Sequence, residues 1–171
     1  MNSMKNGLSL REIVESDIES IRVWRNQEQI QKYFINVDDI SEEQQRQWFK
    51  NYLLKTDDIM FMIEENINFK SAIGTVALYN INKATGSAEF GRLMIGNMSA
   101  QGKGLGKQAI ILACTYAFKV LNLSEVYLYV LCNNIKAIRI YLKLGFIVKD
   151  VISNTIYMSL DKRVFFGLIS I

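Results

Sequence analysis

The chain is predicted to be a single α+β domain, and three observations carry that expectation. Its 171 residues are 50% hydrophobic and 22% charged, enough apolar material at this length for one buried core without disulfides or metals. Hydrophobic periodicity is helical in the first third, strand-like from Asp58, and mixed thereafter. No internal repeat, low-complexity stretch or linker interrupts it, so residues 1–171 read as one domain with a core over about 8–160 and a tail over 161–171.

Leu8 and Leu10 alternate with polar residues and Ile13 extends the pattern, which predicts a first strand from Gly7 to Val14. Ser16 is a candidate N-cap with Glu19 three positions on; Ile18, Ile21, Val23 and Trp24 then give a helix an apolar stripe through Arg25-Asn26. Gln27 to Phe34 reads as a second short helix. Ser41-Glu42-Glu43-Gln44 is a capping-box signature opening a third, with Trp48, Tyr52 and Leu53 on its apolar face. Three strand-like runs follow, Ile59 to Glu64, Ser71 to Asn80 and Ser87 to Ile95. The polar segments Glu65-Asn66 and Lys83-Ala84-Thr85-Gly86 join them into an antiparallel meander. The glycine-rich segment Gln101 to Gly106 opens a helix to about Leu121 that is apolar nearly all round, hence buried on more than one face. Ser124 to Leu131 is a strand, Asn133-Asn134 a turn or cap, and Ile135 to Leu144 a helix closed by Gly145. Phe146 to Val151 and Thr155 to Leu160 are the last strands. The tail, Asp161 to Ile171, is apolar enough to pack, with no partner readable from sequence.

Composition removes several kinds of chemistry. The chain has no His, so Ser-His-Asp and Cys-His catalysis, HExxH zinc sites and imidazole proton shuttles are excluded. It has no Pro, so it carries no PxxP segment. With 20 basic and 17 acidic residues, a formal charge of +3 is too mild to point to nucleic acid. Cys114 and Cys132 have no CxxC spacing and cannot complete a tetrahedral zinc site, so no metal is expected; they read as thiols in a reducing compartment. The most apolar run, Ala109 to Phe118, is too short to cross a bilayer and the first residues lack an apolar leader core, which predicts a cytoplasmic protein without membrane contact.

A strand ending near Ile95, then three glycines and Lys103 within six residues, then a helix, suits the binding of phosphate. Glycine lets the backbone approach an anion, and the unpaired N–H groups and dipole of a helix N-terminus favour negative charge. Lys103 and Lys107 add cationic charge. Neither GxxxxGK[ST] nor GxGxxG is present. Taken alone, the segment is an anion site or a structural entry to the helix.

Two motifs narrow the choice. Gln101-x-x-Gly104-x-Gly106 resembles the Q/R-x-x-G-x-G/A signature of the GNAT superfamily of acetyl-CoA-dependent N-acetyltransferases, and Asn134 to Phe146 is similar to that family's N-x-x-A-x-x-x-Y-x-x-x-G-F signature. Leu10-Arg11-Glu12 and Trp24-Arg25-Asn26 resemble the branch that includes ribosomal-protein N-terminal acetyltransferases, and Trp24-Arg25-Asn26 with the Ser41–Trp48 helix also resembles transferases acting on nucleotide-linked amino sugars. The resemblance covers nearly the whole chain. It implies a mixed central sheet of about seven strands flanked by helices, with splayed fourth and fifth strands between which acetyl-CoA lies. Gln101, Gly102, Lys103, Gly104, Leu105, Gly106 and Lys107 would hold the pyrophosphate, and the backbone of Met94 and Ile95, beside a bulge in the fourth strand, the thioester arm.

Acetyl transfer to an amine needs an unprotonated amine, a stabilised oxyanion and a proton for the departing thiolate. By the same resemblance Tyr141 is the acid toward the thiolate; on spacing alone it is a core aromatic. Asn134 would bond the pantetheine arm, and Asn is also a good N-cap. Glu89 is the carboxylate nearest in sequence to the expected amine position and the candidate base, or else a surface or paired carboxylate; many family members use a water chain instead. Strand alternation sets Glu89 with Gly91 and Leu93, opposite Phe90 and Arg92. Arg25 could pair with a substrate phosphate or carboxylate, or be interhelical. The expected acceptor is a small-molecule amine such as a nucleotide-linked amino sugar; a peptide N-terminus, and a non-catalytic acyl-CoA-binding module, are the alternatives. The apolar tail suggests a homodimer.

Overall fold

The computed structural model describes residues 7–34 and 38–169, so the sequence readings for residues 1–6, 35–37 and 170–171 lie outside it. Seven strands form one sheet in the order β1-β2-β3-β4-β5-β7-β6. They are β1 (Leu8–Glu12), β2 (Ile59–Glu65), β3 (Ser71–Asn82), β4 (Ser87–Ile95), β5 (Glu125–Leu131), β6 (Ile147–Ile152) and β7 (Thr155–Asp161). Every neighbouring pair is antiparallel except β4 with β5, which is parallel and limited to Ser87–Glu125, Ala88–Val126 and Glu89–Tyr127. Beyond Glu89 the two strands part, which is the splay the resemblance implies.

The helices are α1 (Ile18–Arg25), α2 (Glu28–Gln31), α3 (Glu42–Leu53), α4 (Leu105–Lys119), α5 (Ile135–Lys143) and α6 (Lys162–Ile169). Alternation of strand side chains builds two cores. Phe61, Ile63, Ile73, Phe90 and Val126 pack with Ile110, Ala113 and Ala117 of α4, a helix buried on several sides as its composition predicts. Met60, Met62, Ala77 and Met94 pack with Ile21 of α1, Ile30 of α2 and Phe49 of α3.

Local signals hold in most places. Ser41 caps α3, accepting from the Gln44 N–H at 3.2 Å while the Gln44 side chain accepts the Ser41 N–H at 2.7 Å. Ser16 does not cap α1. It lies in a 3-10 turn, Glu15–Asp17, and the Asp17 carboxylate takes the Val14 N–H at 2.8 Å instead. Val23 and Leu53, predicted to face the core, are exposed; α3 turns Gln45 and Phe49 inward instead. The tail forms α6, whose Phe165 is fully buried against Phe118, while Val164, Leu168 and Ile169 of the same helix stay exposed. Among the described residues no helix is long and apolar enough to cross a membrane, and no group of three or more Cys, Asp or Glu side chains is placed to hold a metal.

Candidate active site

The site begins with a fault in β4. Thr75 pairs with Met94 and Ala77 with Gly91, so two steps along β3 match three along β4: a bulge at Arg92-Leu93. Arg92 has φ 48°, a left-handed conformation that side chains seldom adopt. The Thr75 hydroxyl donates to the Arg92 carbonyl at 2.8 Å. The extra residue reverses the alternation. Ala88 and Phe90 face α4, but so do Leu93 and Ile95, whereas Met94 joins the core under α1–α3. Arg92 therefore does not share a face with Phe90 as simple alternation predicts. Its guanidinium makes a two-point pair with Asp58, at 2.6 and 2.9 Å. It also lies 4.5 Å from the ring centre of Tyr79 and 5.9 Å from that of Trp48.

Two cavities meet at this bulge. A cleft of about 280 Å³ occupies the gap between the splayed strands, lined by Phe90, Leu93, Val130, Asn134 and Tyr141. A second cavity of about 430 Å³ lies under α1 and α3, with apolar walls of Ile21, Phe34, Trp48, Met60 and Met94 and with Asp38 and Asp39 at its exposed side. Arg25, Phe34 and Arg92 border both. The Arg25 guanidinium stacks 3.8 Å from the Phe34 ring centre, and burial lowers its pKa from the ordinary value.

The parting of β4 and β5 brings Tyr141 and Asn134 to the cleft. Tyr141 is 8% exposed, with its ring edge-on to Phe90. Burial, and after it the neighbouring Cys114, pushes its pKa well above the ordinary value, so the hydroxyl keeps its proton. Asn134 lines the cleft and also caps α5, accepting the Ala137 N–H at 3.3 Å. Glu89 lines neither cavity. It accepts from the Tyr79 hydroxyl at 2.9 Å and from Asn80 Nδ2 at 2.8 Å. Tyr79 does line the cleft, and burial, reinforced by the Glu89 charge, holds its pKa far above the ordinary value.

The glycine-rich loop stands at the far end of β4. Gln101 Nε2 donates to the Ile95 carbonyl at 2.8 Å, tying the loop to the strand end. Gly102 and Gly104 adopt φ 75° and 77°, and a Cβ on either would meet open space. Gly104 is the N-cap of α4, whose first turn carries Leu105, Gly106 and the exposed Lys107; Lys103 is exposed just before it. Helix N–H groups without helical acceptors, an uncovered cradle and two exposed ammonium groups fit a pyrophosphate. Sequence reasoning missed the Arg92–Asp58 pair and Tyr79. A lone arginine in an apolar strand and an aspartate just before another were visible, but nothing linked residues 34 positions apart.

A cleft between parted parallel strands, a second cavity beside it and a glycine-rich helix entry following β4 are the arrangement expected of a transferase that handles an acyl thioester. The chain belongs to the GNAT acetyltransferase family: the acetyltransferase (GNAT) domain matches residues 8–147. It is 31% identical over 144 residues to the spermidine N(1)-acetyltransferase of Vibrio cholerae, covering 84% of this chain and 81% of that protein. The crystal structure of spermidine N-acetyltransferase from Vibrio cholerae in complex with CoA and spermine superposes with a TM-score of 0.83 at 27% identity, covering 93% of this chain and 98% of that one. An apo nucleotide-linked sugar GNAT also has a TM-score of 0.83, at 23% identity over 95% of this chain and 90% of its own, a likeness of fold alone. The protein is accordingly an N-acetyltransferase with acetyl-CoA as its co-substrate.

Proposed function

We propose that this N-acetyltransferase acts on a primary amine of a polyamine-type small molecule. The observation that carries the proposal is the second cavity. Carboxylates of Asp38 and Asp39 stand at its exposed side and apolar walls lead inward to the β4 bulge. An ammonium group at one end and a methylene chain along the walls would seat that way. The likeness to spermidine N(1)-acetyltransferase supports the same acceptor. One observation favours a second reading, a nucleotide-linked amino sugar: the partly buried Arg25 guanidinium bordering both cavities suits an anionic or hydroxyl-rich acceptor.

In this scheme Gln101, Gly102, Lys103, Gly104, Leu105, Gly106 and Lys107 hold the pyrophosphate, Asn134 bonds the pantetheine arm, and the backbone at Met94 and Ile95 faces the thioester. Tyr141, protonated because it is buried, gives its proton to the leaving thiolate. Glu89 acts as base through Tyr79: the hydroxyl oxygen takes a proton from the amine side as its own proton passes to the carboxylate. The edge strand β6, which exposes Ile147, Val148, Val151 and Ile152, is the proposed homodimer surface.

Release of free thiol from acetyl-CoA over a panel of spermidine, spermine, a nucleotide-linked 4-amino sugar and short peptides tests the acceptor. Turnover is expected with the polyamines. Turnover of the amino sugar alone transfers the assignment to the second reading; turnover of peptides alone removes both.

A further inference from the structure

We propose that Arg92 is the positioning residue of the transfer step, and that its clasp with Asp58 holds the β4 bulge in the form that faces the thioester. This rests on the proposal that the backbone beside the bulge faces the acetyl group. A left-handed backbone at a non-glycine residue is strained and persists only where its surroundings over-determine it. Here they do so from three directions. The Thr75 hydroxyl grips the Arg92 carbonyl at 2.8 Å. The Asp58 carboxylate, 3% exposed, takes two guanidinium hydrogen bonds at 2.6 and 2.9 Å, with Lys55 at 3.6 Å as a further cation. The rings of Tyr79 and Trp48 flank the guanidinium.

The placement gives this anchor a function beyond stability. Arg92 borders both the cleft and the acceptor cavity, at the point where the two substrates must meet. Its side chain is only 26% exposed and its charge is already matched by Asp58, so it serves as a fixed wall rather than as a free cation. The planar two-point fork is what an arginine supplies and a lysine does not. Loss of the fork lets the bulge relax by a fraction of an ångström, which leaves the distant pyrophosphate loop intact and misplaces the reacting groups.

The test uses Arg92→Lys, which keeps the cation and loses the fork, and Asp58→Asn. CoA affinity is measured by calorimetry, and the amide resonances of residues 92–95 are compared with CoA and with acetyl-CoA bound. With the best amine of the panel, kcat is expected to fall about 100-fold with the KM for acetyl-CoA unchanged, the scale of a small misplacement of reacting groups. The amide shift difference between CoA and acetyl-CoA is expected to disappear while the CoA Kd stays within about twofold. Should Asp58→Asn not fold, Arg92→Lys carries the test. Normal kcat with a retained shift difference overturns the proposal, and so does loss of CoA binding, which would make Arg92 a cofactor contact. If no amine is turned over, the assigned reaction fails while the amide comparison still decides the role of Arg92.

Discussion

The two flanks of β4 are built to opposite ends. Toward β3 it is paired from Ser87 to Ile95 and locked by the Thr75 and Asp58 contacts to Arg92. Toward β5 it keeps three residue pairs and then opens into a cleft. A strand inside a sheet ordinarily satisfies both edges, because an unpaired buried N–H or C=O costs about 1–3 kcal/mol. Here the open flank leaves strand edges facing a cleft, and in the proposed scheme the closed flank fixes where a ligand in that cleft finds them. The difference teaches that positioning and access are assigned to opposite edges of one strand, and each can be disturbed separately.

The closed flank predicts the largest effect. A Cβ on Gly74 would overlap the Met94 carbonyl oxygen, a backbone atom that cannot step aside without moving β4. Gly74→Val is expected to destabilise the protein by about 3 kcal/mol or more, the scale of forced overpacking in a core. Urea denaturation measures it. A loss below about 1 kcal/mol would show that β4 can shift on that side, and the contrast between the flanks would collapse.

The open flank predicts a kinetic effect instead. Tyr141→Phe is expected to lower kcat about 100-fold while CoA still raises the melting temperature as in wild type. Burial raises the Tyr141 pKa above its ordinary value. The wild-type rate is therefore expected to rise with pH as the amine loses its proton, with no fall near pH 10, where an exposed tyrosine would ionise. Normal turnover in the variant removes the acid role.

The same asymmetry explains what could be read in advance. Helix starts and strand runs are local, and they were visible: the Ser41-Gln44 box, the alternating runs that became β2 to β4, and the glutamine-led and asparagine-led signatures. The proposed cofactor side was nameable from sequence because Gln101–Lys107 and Asn134–Tyr141 are each contiguous. The acceptor side was not. The resemblance implied a bulge in the fourth strand, but its place at Arg92 arises from register against β3, which no single strand encodes, and it moved Arg92 to the face opposite the predicted one. Glu89 was near the expected chemistry in sequence, yet the fold points it at Tyr79 and Asn80.

Smaller in stability, but decisive for the ligand end of the open flank, is Gly104→Val. With φ 77° and open space around it, Gly104 is needed for its backbone conformation rather than for room inside the protein. A β-branched residue there is expected to cost about 2 kcal/mol and to abolish the rise in melting temperature that CoA produces in wild type. An undiminished rise would detach the loop from the pyrophosphate and leave the cleft without its phosphate end.

Gly106→Ala gives the smallest effect and separates the two roles a glycine can have in that loop. Gly106 lies in the first turn of α4, and a Cβ there would sit 3.9 Å from Ile95 Cγ1, an ordinary contact. Alanine narrows the unfolded chain's freedom without strain in the folded one, so a gain of about 0.5 kcal/mol is expected. If CoA raises the melting temperature of this variant as it does that of wild type, the loop needs glycine at 104 for its own shape and none at 106. If stability rises but the CoA effect is lost, the added methyl occupies space the pyrophosphate requires, and the open flank is shaped by ligand contact at 106 as well as by backbone geometry at 104.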